Sequence, residues 1–267
     1  MIRSQFAGAV LTAIIAVVIP AQLPAHAADC AADNTTRVQG GAECLVISTN
    51  GATDGASTLV IFIHGDGSGG GASDYLSKTA YRYGSGETVA VNLIRPGYFD
   101  SYDNQSTGTS YRSQGDGYRP KIVDAVAGAI QNLKTHHKVQ RVVLVGHSGG
   151  AAISGVILGR FPGLADAAVL AACPCHVPDW RYMRRGQNTW TRSQSPHEFA
   201  DTVPATARVI AVTGDGDNNT FPVIARDYVE SLVKRGIDAR FVEVPGASHN
   251  AVTRSDEFFA AIDALLK

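Results

Sequence analysis

Val142-Val143-Leu144-Val145-Gly146-His147-Ser148-Gly149-Gly150-Ala151-Ala152-Ile153-Ser154-Gly155-Val156 is the stretch on which the fold turns. Its four leading apolar residues, three of them β-branched, read as a buried strand, and the small and apolar residues from Ala151 onward read as a packed helix. Between them stands G-x-S-x-G. That pattern puts a serine in a strand-to-helix turn so tight that side chains two positions before and after it would collide, hence the glycines. The serine takes up strained backbone, with its hydroxyl presented at the end of the sheet. The helix that follows aims its first N–H groups at negative charge developing beside Ser148.

Outward from this turn, apolar runs alternate with helical stripes. Strands are expected at residues 44–48, 59–63, 88–94, 167–171, 208–213 and 239–244; helices at 74–83, 121–136, 222–235 and 256–265. Leu59-Val60-Ile61-Phe62-Ile63 is apolar throughout, which marks a strand covered on both faces. Ile122, Val123, Val126, Ile130 and Leu133 make one helical stripe. The fold class expected is α/β: a mainly parallel, twisted sheet flanked by helices on both faces, joined by right-handed crossovers. Two stretches do not fit the alternation. Residues 98–119 form a polar, aromatic loop long enough to carry function, and residues 174–204 read as an irregular small cap.

A serine hydroxyl attacks only when a neighbouring base takes its proton, and that base needs an orienting acid. His249, in Pro245-Gly246-Ala247-Ser248-His249-Asn250, follows the last strand and is the base candidate. Gly214-Asp215-Gly216-Asp217-Asn218-Asn219 follows the preceding strand and offers two acids, Asp215 and Asp217. Both segments lie at C-terminal strand ends, the edge from which Ser148 emerges and where open parallel sheets place their sites. Donors for an oxyanion are expected from the backbone N–H of Gly149 and from the loop His64-Gly65-Asp66-Gly67, at Asp66 or Gly67. That glycine-rich loop matches neither G-x-G-x-x-G with a downstream ribose carboxylate nor G-x-x-x-x-G-K-[ST], which argues against a nucleotide. Of the other histidines, His147 should point away from the hydroxyl and His64 should brace its loop. His136, His137 and His197 read as solvated surface residues.

With His64-Gly65, Gly146 to Gly150, Gly214 to Asp217 and Gly246 to His249 in this order, the chain resembles the α/β-hydrolase superfamily over residues 46–267. Within it, the chain looks most like secreted bacterial serine esterases and prolyl-peptidase-like hydrolases; Arg95-Pro96-Gly97-Tyr98 resembles the loop after the fourth strand of that group. The resemblance implies a cofactor-free enzyme acting on an ester, amide or thioester through an acyl-enzyme, and a single domain over residues 28–267. It also places the acid three residues after the loop glycine, at Asp217. A carboxylic ester hydrolase is the first reading and a prolyl- or aminopeptidase-like serine peptidase the second. A non-catalytic binding protein on the same fold is the third. The cap is short for a lipase lid. Trp180, Tyr182 and Trp190 either line an acyl pocket or pack the cap onto the sheet. Arg181, Arg184 and Arg185 either meet a substrate carboxylate or, as an Arg-rich run usually does, form a solvated face, and no role is assigned to them.

The 267 residues are 45% hydrophobic and 18% charged, which suits one domain with a substantial core. The formal net charge of −1 gives no electrostatic case for nucleic acid or an anionic membrane. A small-molecule or peptide substrate is the expected partner. Arg3, the apolar run over residues 6–19 and Ala25-His26-Ala27 read as a secretory leader cut before Ala28. The run is too short to span a bilayer, so a secreted or periplasmic protein with no stable membrane insertion is expected. Export permits disulfides among Cys30, Cys44, Cys173 and Cys175, for which three pairings exist. Cys30 with Cys44 would staple a hairpin around Gly40-Gly41, whereas Cys173 and Cys175 would close a tight ring or stay as thiols. Cys173-Pro174-Cys175-His176 offers half a metal site, but no second ligand cluster accompanies it, so no metal is expected.

Overall fold

Runs of branched apolar residues with no polar face to show to water become strands buried on both sides, and they build the centre of the sheet. In the computed structural model, which describes residues 1, 30–51, 55–67, 69–111 and 116–267, the sheet has eight strands. These are β1 (Arg37–Gly40), β2 (Glu43–Asn50), β3 (Thr58–Ile63), β4 (Thr88–Leu93), β5 (Arg141–His147), β6 (Ala167–Ala171), β7 (Arg208–Gly214) and β8 (Asp238–Val244). Their order is β1-β2-β4-β3-β5-β6-β7-β8, antiparallel between β1, β2 and β4 and parallel from there on. The expected secretory leader lies outside the described residues, Met1 aside.

Helices cover both faces. Helix α2 (Pro120–His137), α3 (Gly149–Arg160) and α5 (Pro222–Lys234) share one apolar cluster with the sheet. Helix α1 (Ser77–Tyr83) and α6 (Asp256–Leu266) share the cluster on the opposite face. α3 is buried from Gly149 to Gly159, which explains why its sequence carries small and apolar residues all round and no amphipathic stripe.

Four expectations need correction. Residues 74–76 make a turn before α1 instead of its first turn, with Ser77 N–H bonded to Asp74 O. The cap is not irregular: it holds α4 (Val177–Arg185) and a 3-10 helix, Pro196–Thr202. α4 buries only Val177 and Trp180, too few for a periodic signal, and begins where the His176 ring accepts the Asp179 N–H. The 3-10 helix did carry a legible start, a reciprocal cap between Ser195 and Glu198. His137 is buried, and His197 is half-buried and stacked on His176 at 3.5 Å, so neither is a solvated surface residue. Finally β1, four residues long, was not expected; it turns at Gly41 (φ +59°) to pair with β2.

The loop over residues 98–119 divides its work. Ser106 is fully buried, accepts the Val46 N–H at 2.8 Å and donates to Ile94 O at 2.7 Å, pinning the first half against the sheet edge. The second half returns Tyr118, also fully buried, toward the end of β3.

Two disulfides are present, Cys30–Cys44 and Cys173–Cys175, so the Cys-x-Cys pair is closed and cannot serve as thiolate ligands. Among the described residues no helix is long and apolar enough to cross a membrane. The Cys30–Cys44 bridge closes a loop of sequence separation 14. In the chain-entropy view its removal by Cys30→Ala/Cys44→Ala costs about 3 kcal/mol, read as a lower denaturation midpoint. An unshifted midpoint would show that the bridge does not constrain the unfolded chain.

Candidate active site

Ser148 sits between β5 and α3 at φ 53°, ψ −118°, a conformation that costs a non-glycine residue free energy and persists only when its surroundings enforce it. The enforcement comes from both sides. Ser148 N–H donates to Ala171 O at 2.8 Å on β6, and Ala152 N–H bonds back to Ser148 O. A Cβ at Gly146 would stand 2.5 Å from Gly150 O, and one at Gly150 only 2.0 Å from Ile63 O. Only glycine lets the turn close against the end of β3.

Ser148 Oγ lies 3.0 Å from His249 Nε2, across 101 residues of sequence. His249 Nδ1 lies 2.9 Å from Asp217 Oδ2. Asp217 is nearly fully buried and its other oxygen accepts the N–H groups of Asn219 and Thr220, at 2.8 and 2.9 Å; Thr220 Oγ1 donates to Oδ2 at 2.8 Å. Burial alone would raise the Asp217 carboxyl. The hydrogen bond to His249, the charge of that ring, the Asn219 N–H and the Thr220 hydroxyl outweigh it, and the group lies below its ordinary value. The carboxylate therefore stays ionised at neutral pH and fixes the ring with its proton on Nδ1, leaving Nε2 to accept from the serine.

The local backbone selects Asp217 over Asp215 for this contact. Asp215 N–H continues the ladder to Val244 O and its carboxylate accepts the Gly246 N–H at 2.6 Å, on the exposed side. Asp217 N–H instead turns back to Gly214 O, which swings its side chain inward. Thr220 was missed in the sequence; its only signal was its place three residues after Asp217.

The loop after β3 passes directly over the serine: a Cβ on Gly65 would lie 2.9 Å from Ser148 Cβ. Asp66 packs its carboxylate against Gly149, where a Cβ would lie 2.2 Å from Oδ1, and binds a fully buried Arg95, Oδ1 to Nη1 at 2.9 Å, while Oδ2 accepts the Tyr118 hydroxyl at 2.7 Å. Tyr98 OH donates to Asp66 O at 3.0 Å. The loop is thus held by its side chain and carbonyl, and Gly149, at the first position of α3, has no intrahelical acceptor for its N–H. Arg95 as the anchor was not foreseen, although an arginine ending an otherwise apolar strand run was the available clue.

Neutral histidines tie these parts together. His64 Nε2 accepts the Arg95 N–H at 2.9 Å, so Nδ1 carries the proton and donates to Gly65 O at 2.7 Å. Gly65 N–H donates to Tyr75 OH at 2.7 Å, and the Tyr75 hydroxyl donates onward to His147 Nδ1 at 2.6 Å. His147 Nε2–H then donates to His249 O at 3.0 Å. His147 is therefore turned from the serine and bridges the two loops that flank it. Burial first, then the charge of His249, lowers its pKa to about 4. Burial and Arg95 push His64 well below 6.5, and burial followed by His176 lowers His197 to about 4.

In the unfolded chain these rings bind protons near 6.5. Between that value and about 4 the unfolded state holds more protons than the folded one, so stability falls as pH drops through the window. Thermal unfolding followed by circular dichroism should show the midpoint decreasing from pH 6.5 to pH 4. A flat or rising midpoint would mean that the rings titrate normally in the fold.

A family model described as the prolyl oligopeptidase family matches residues 104–266. Among solved structures, the chain is similar to Est1E from Butyrivibrio proteoclasticus, solved with ferulic acid bound, at 14% identity and TM-score 0.62, over 85% of this chain and 95% of that one. It is also similar to the enol-lactonase from Burkholderia xenovorans LB400, at 13% identity and TM-score 0.58, over 86% of this chain and 100% of that one. Against the acylaminoacyl peptidase of Pyrococcus horikoshii the identity is 12% and the TM-score 0.64, over 85% of this chain and 40% of the peptidase. No curated protein sequence matches. At these identities the structural likenesses establish the fold, that of the α/β-hydrolases.

Proposed function

This chain belongs to the prolyl oligopeptidase family, and on that premise we propose that it is an exported serine hydrolase of carboxylic esters working through a Ser148–His249–Asp217 triad. The observation that carries the reading is the continuous relay Ser148 Oγ to His249 Nε2 to Asp217, with links of 3.0 and 2.9 Å, on a serine whose backbone is held in a strained conformation. Ser148 Oγ attacks the ester carbonyl while His249 Nε2 takes its proton. Asp217 stabilises the imidazolium. The tetrahedral oxyanion receives the N–H of Gly149 and an N–H of Asp66 or Gly67, each donor worth about 3 kcal/mol or more to the transition state. His249 then protonates the departing alcohol, the acyl group stays on Ser148, and a water activated by the same ring releases the acid. No step requires a metal or cofactor.

Esters are favoured over peptides because, among the described residues lining the cavity, the one carboxylate is Asp66, which Arg95 and Tyr118 already hold. A peptidase that reads a free amine needs a carboxylate to receive it. The cap acids are engaged elsewhere: Asp179 with His176, Glu198 in the 3-10 cap and Asp201 toward Arg235. The family match keeps a peptidase as the second reading, and a prolyl or aminoacyl p-nitroanilide assayed beside p-nitrophenyl esters separates the two. The disulfides and the leader-like first 27 residues support export.

A fluorophosphonate probe should label the purified protein and fail to label Ser148→Ala, whose ester turnover drops by at least about 10⁴-fold. Labelling retained in that variant would remove Ser148 from the mechanism. Asp217→Asn should lower kcat by about 10³- to 10⁴-fold because the ring loses its tautomer. Asp215→Asn keeps an acceptor for Gly246 N–H and should stay within about threefold of wild type, since the lost charge lies on the exposed side. The reverse ranking would move the acid.

A further inference from the structure

Arg184 and Arg185 of α4 are exposed and Arg181 is half-buried, and all three border one cavity. Arg181, Arg184 and Arg185, at i, i+3 and i+4, line the cavity of about 1010 Å³ that opens over Ser148 and His249. Tyr182 and Met183, from the same helix, are exposed. Arg254 lines the cavity as well. Among the described lining residues the one carboxylate is Asp66, and it is already bound by Arg95 and Tyr118. Among the described residues none of these four arginines has a carboxylate within ion-pair distance.

Two of the arginines are nonetheless held in place. Arg181 stacks over Trp180 at 4.9 Å and Trp190 at 5.1 Å, and those two rings meet edge to face at 5.0 Å. Arg184 Nη1 donates to Asn218 O at 2.9 Å, on the loop that carries Asp217. The Arg181 Nε atom is buried without a hydrogen-bond partner. Burial, then Arg185 and then Arg184, lower the Arg181 pKa, so like charges are crowded together. Crowding cations at helical spacing is destabilising unless something anionic joins them.

We infer that the substrate of this hydrolase carries a carboxylate, received by Arg181, Arg184 and Arg185 while its apolar body lies against Trp180 and Trp190. This rests on the serine hydrolase reading above and adds the substrate's charge. A guanidinium fork suits a carboxylate because two parallel N–H donors meet its two oxygens, and the aromatic wall supplies the apolar contact that a methylene chain or ring requires.

Matched ester pairs test it. On the acyl side, mono-p-nitrophenyl adipate and suberate are compared with their methyl p-nitrophenyl diesters; on the alcohol side, 4-acetoxybenzoate is compared with its methyl ester. Each kcat/KM is divided by that ester's own hydroxide-catalysed rate. The anionic member should win by at least about tenfold in one of the two arms, and the advantage should shrink as salt is raised. In Arg184→Gln/Arg185→Gln, and further in Arg181→Gln/Arg184→Gln/Arg185→Gln, the anionic-to-neutral ratio should fall toward one. The double variant changes only exposed side chains and so guards against a folding defect in the triple. Wild type that is labelled by fluorophosphonate and hydrolyses the neutral esters with a ratio of one or less in both arms overturns the carboxylate inference alone. Folded wild type that neither labels nor hydrolyses any of the esters overturns the hydrolase reading, and this inference with it.

Discussion

At the C-terminal end of β3 the backbone of α3 comes so near that a single methyl at Gly150 would overlap Ile63 O, and this approach organises the site around it. It fixes Ser148 at positive φ, sets the first N–H groups of α3 beside the serine, and leaves room for the Gly65–Gly67 loop to pass across it. The strained turn survives because β5, β6 and α3 are buried on every side and cannot yield without opening the core. A serine at this position is thus presented by packing. Its chemistry depends on the loops that the packing brings to it.

Electrostatics holds those loops. Arg95 is fully buried and Asp66 half-buried, and such a pair is retained for the position it specifies more than for net stability. Here it anchors the loop whose N–H groups are proposed to meet the oxyanion. His64 and His147, kept neutral by burial, each donate from one nitrogen and accept at the other, joining Arg95 to Gly65 and Tyr75 to the His249 backbone. The loops after β3, β5 and β8 are therefore linked by directional bonds that a charged ring would break. The cap is linked to the same frame: Trp180 Nε1 donates to Asn219 O at 2.9 Å and Arg184 to Asn218 O. The wall of the cavity and the loop that carries Asp217 are thus tied by two hydrogen bonds.

Much of this was legible before any coordinate was known. β3, β5 and β6 announce themselves because strands covered on both faces must be apolar throughout, and α2 because its stripe runs from Ile122 to Leu133, about three turns. The serine turn is legible because only glycine fits the close approaches beside it. Short or edge elements were not: β1 and α4 owe their form to partners distant in sequence, and four or nine residues cannot display a period.

The sequence by itself determined the α/β class, the edge of the sheet on which the site lies, and the three residue types that meet there, because periodicity and turn chemistry are local. Only the tertiary structure decided which acid reaches His249, since that depends on whether a side chain leaves a strand end inward, as Asp217 does, or outward, as Asp215 does. It alone paired Asp66 with Arg95 and closed Cys173 onto Cys175. It also placed three arginines of a polar helix along one cavity. Contacts between residues tens to a hundred positions apart are set by how layers pack, and no local pattern carries that information.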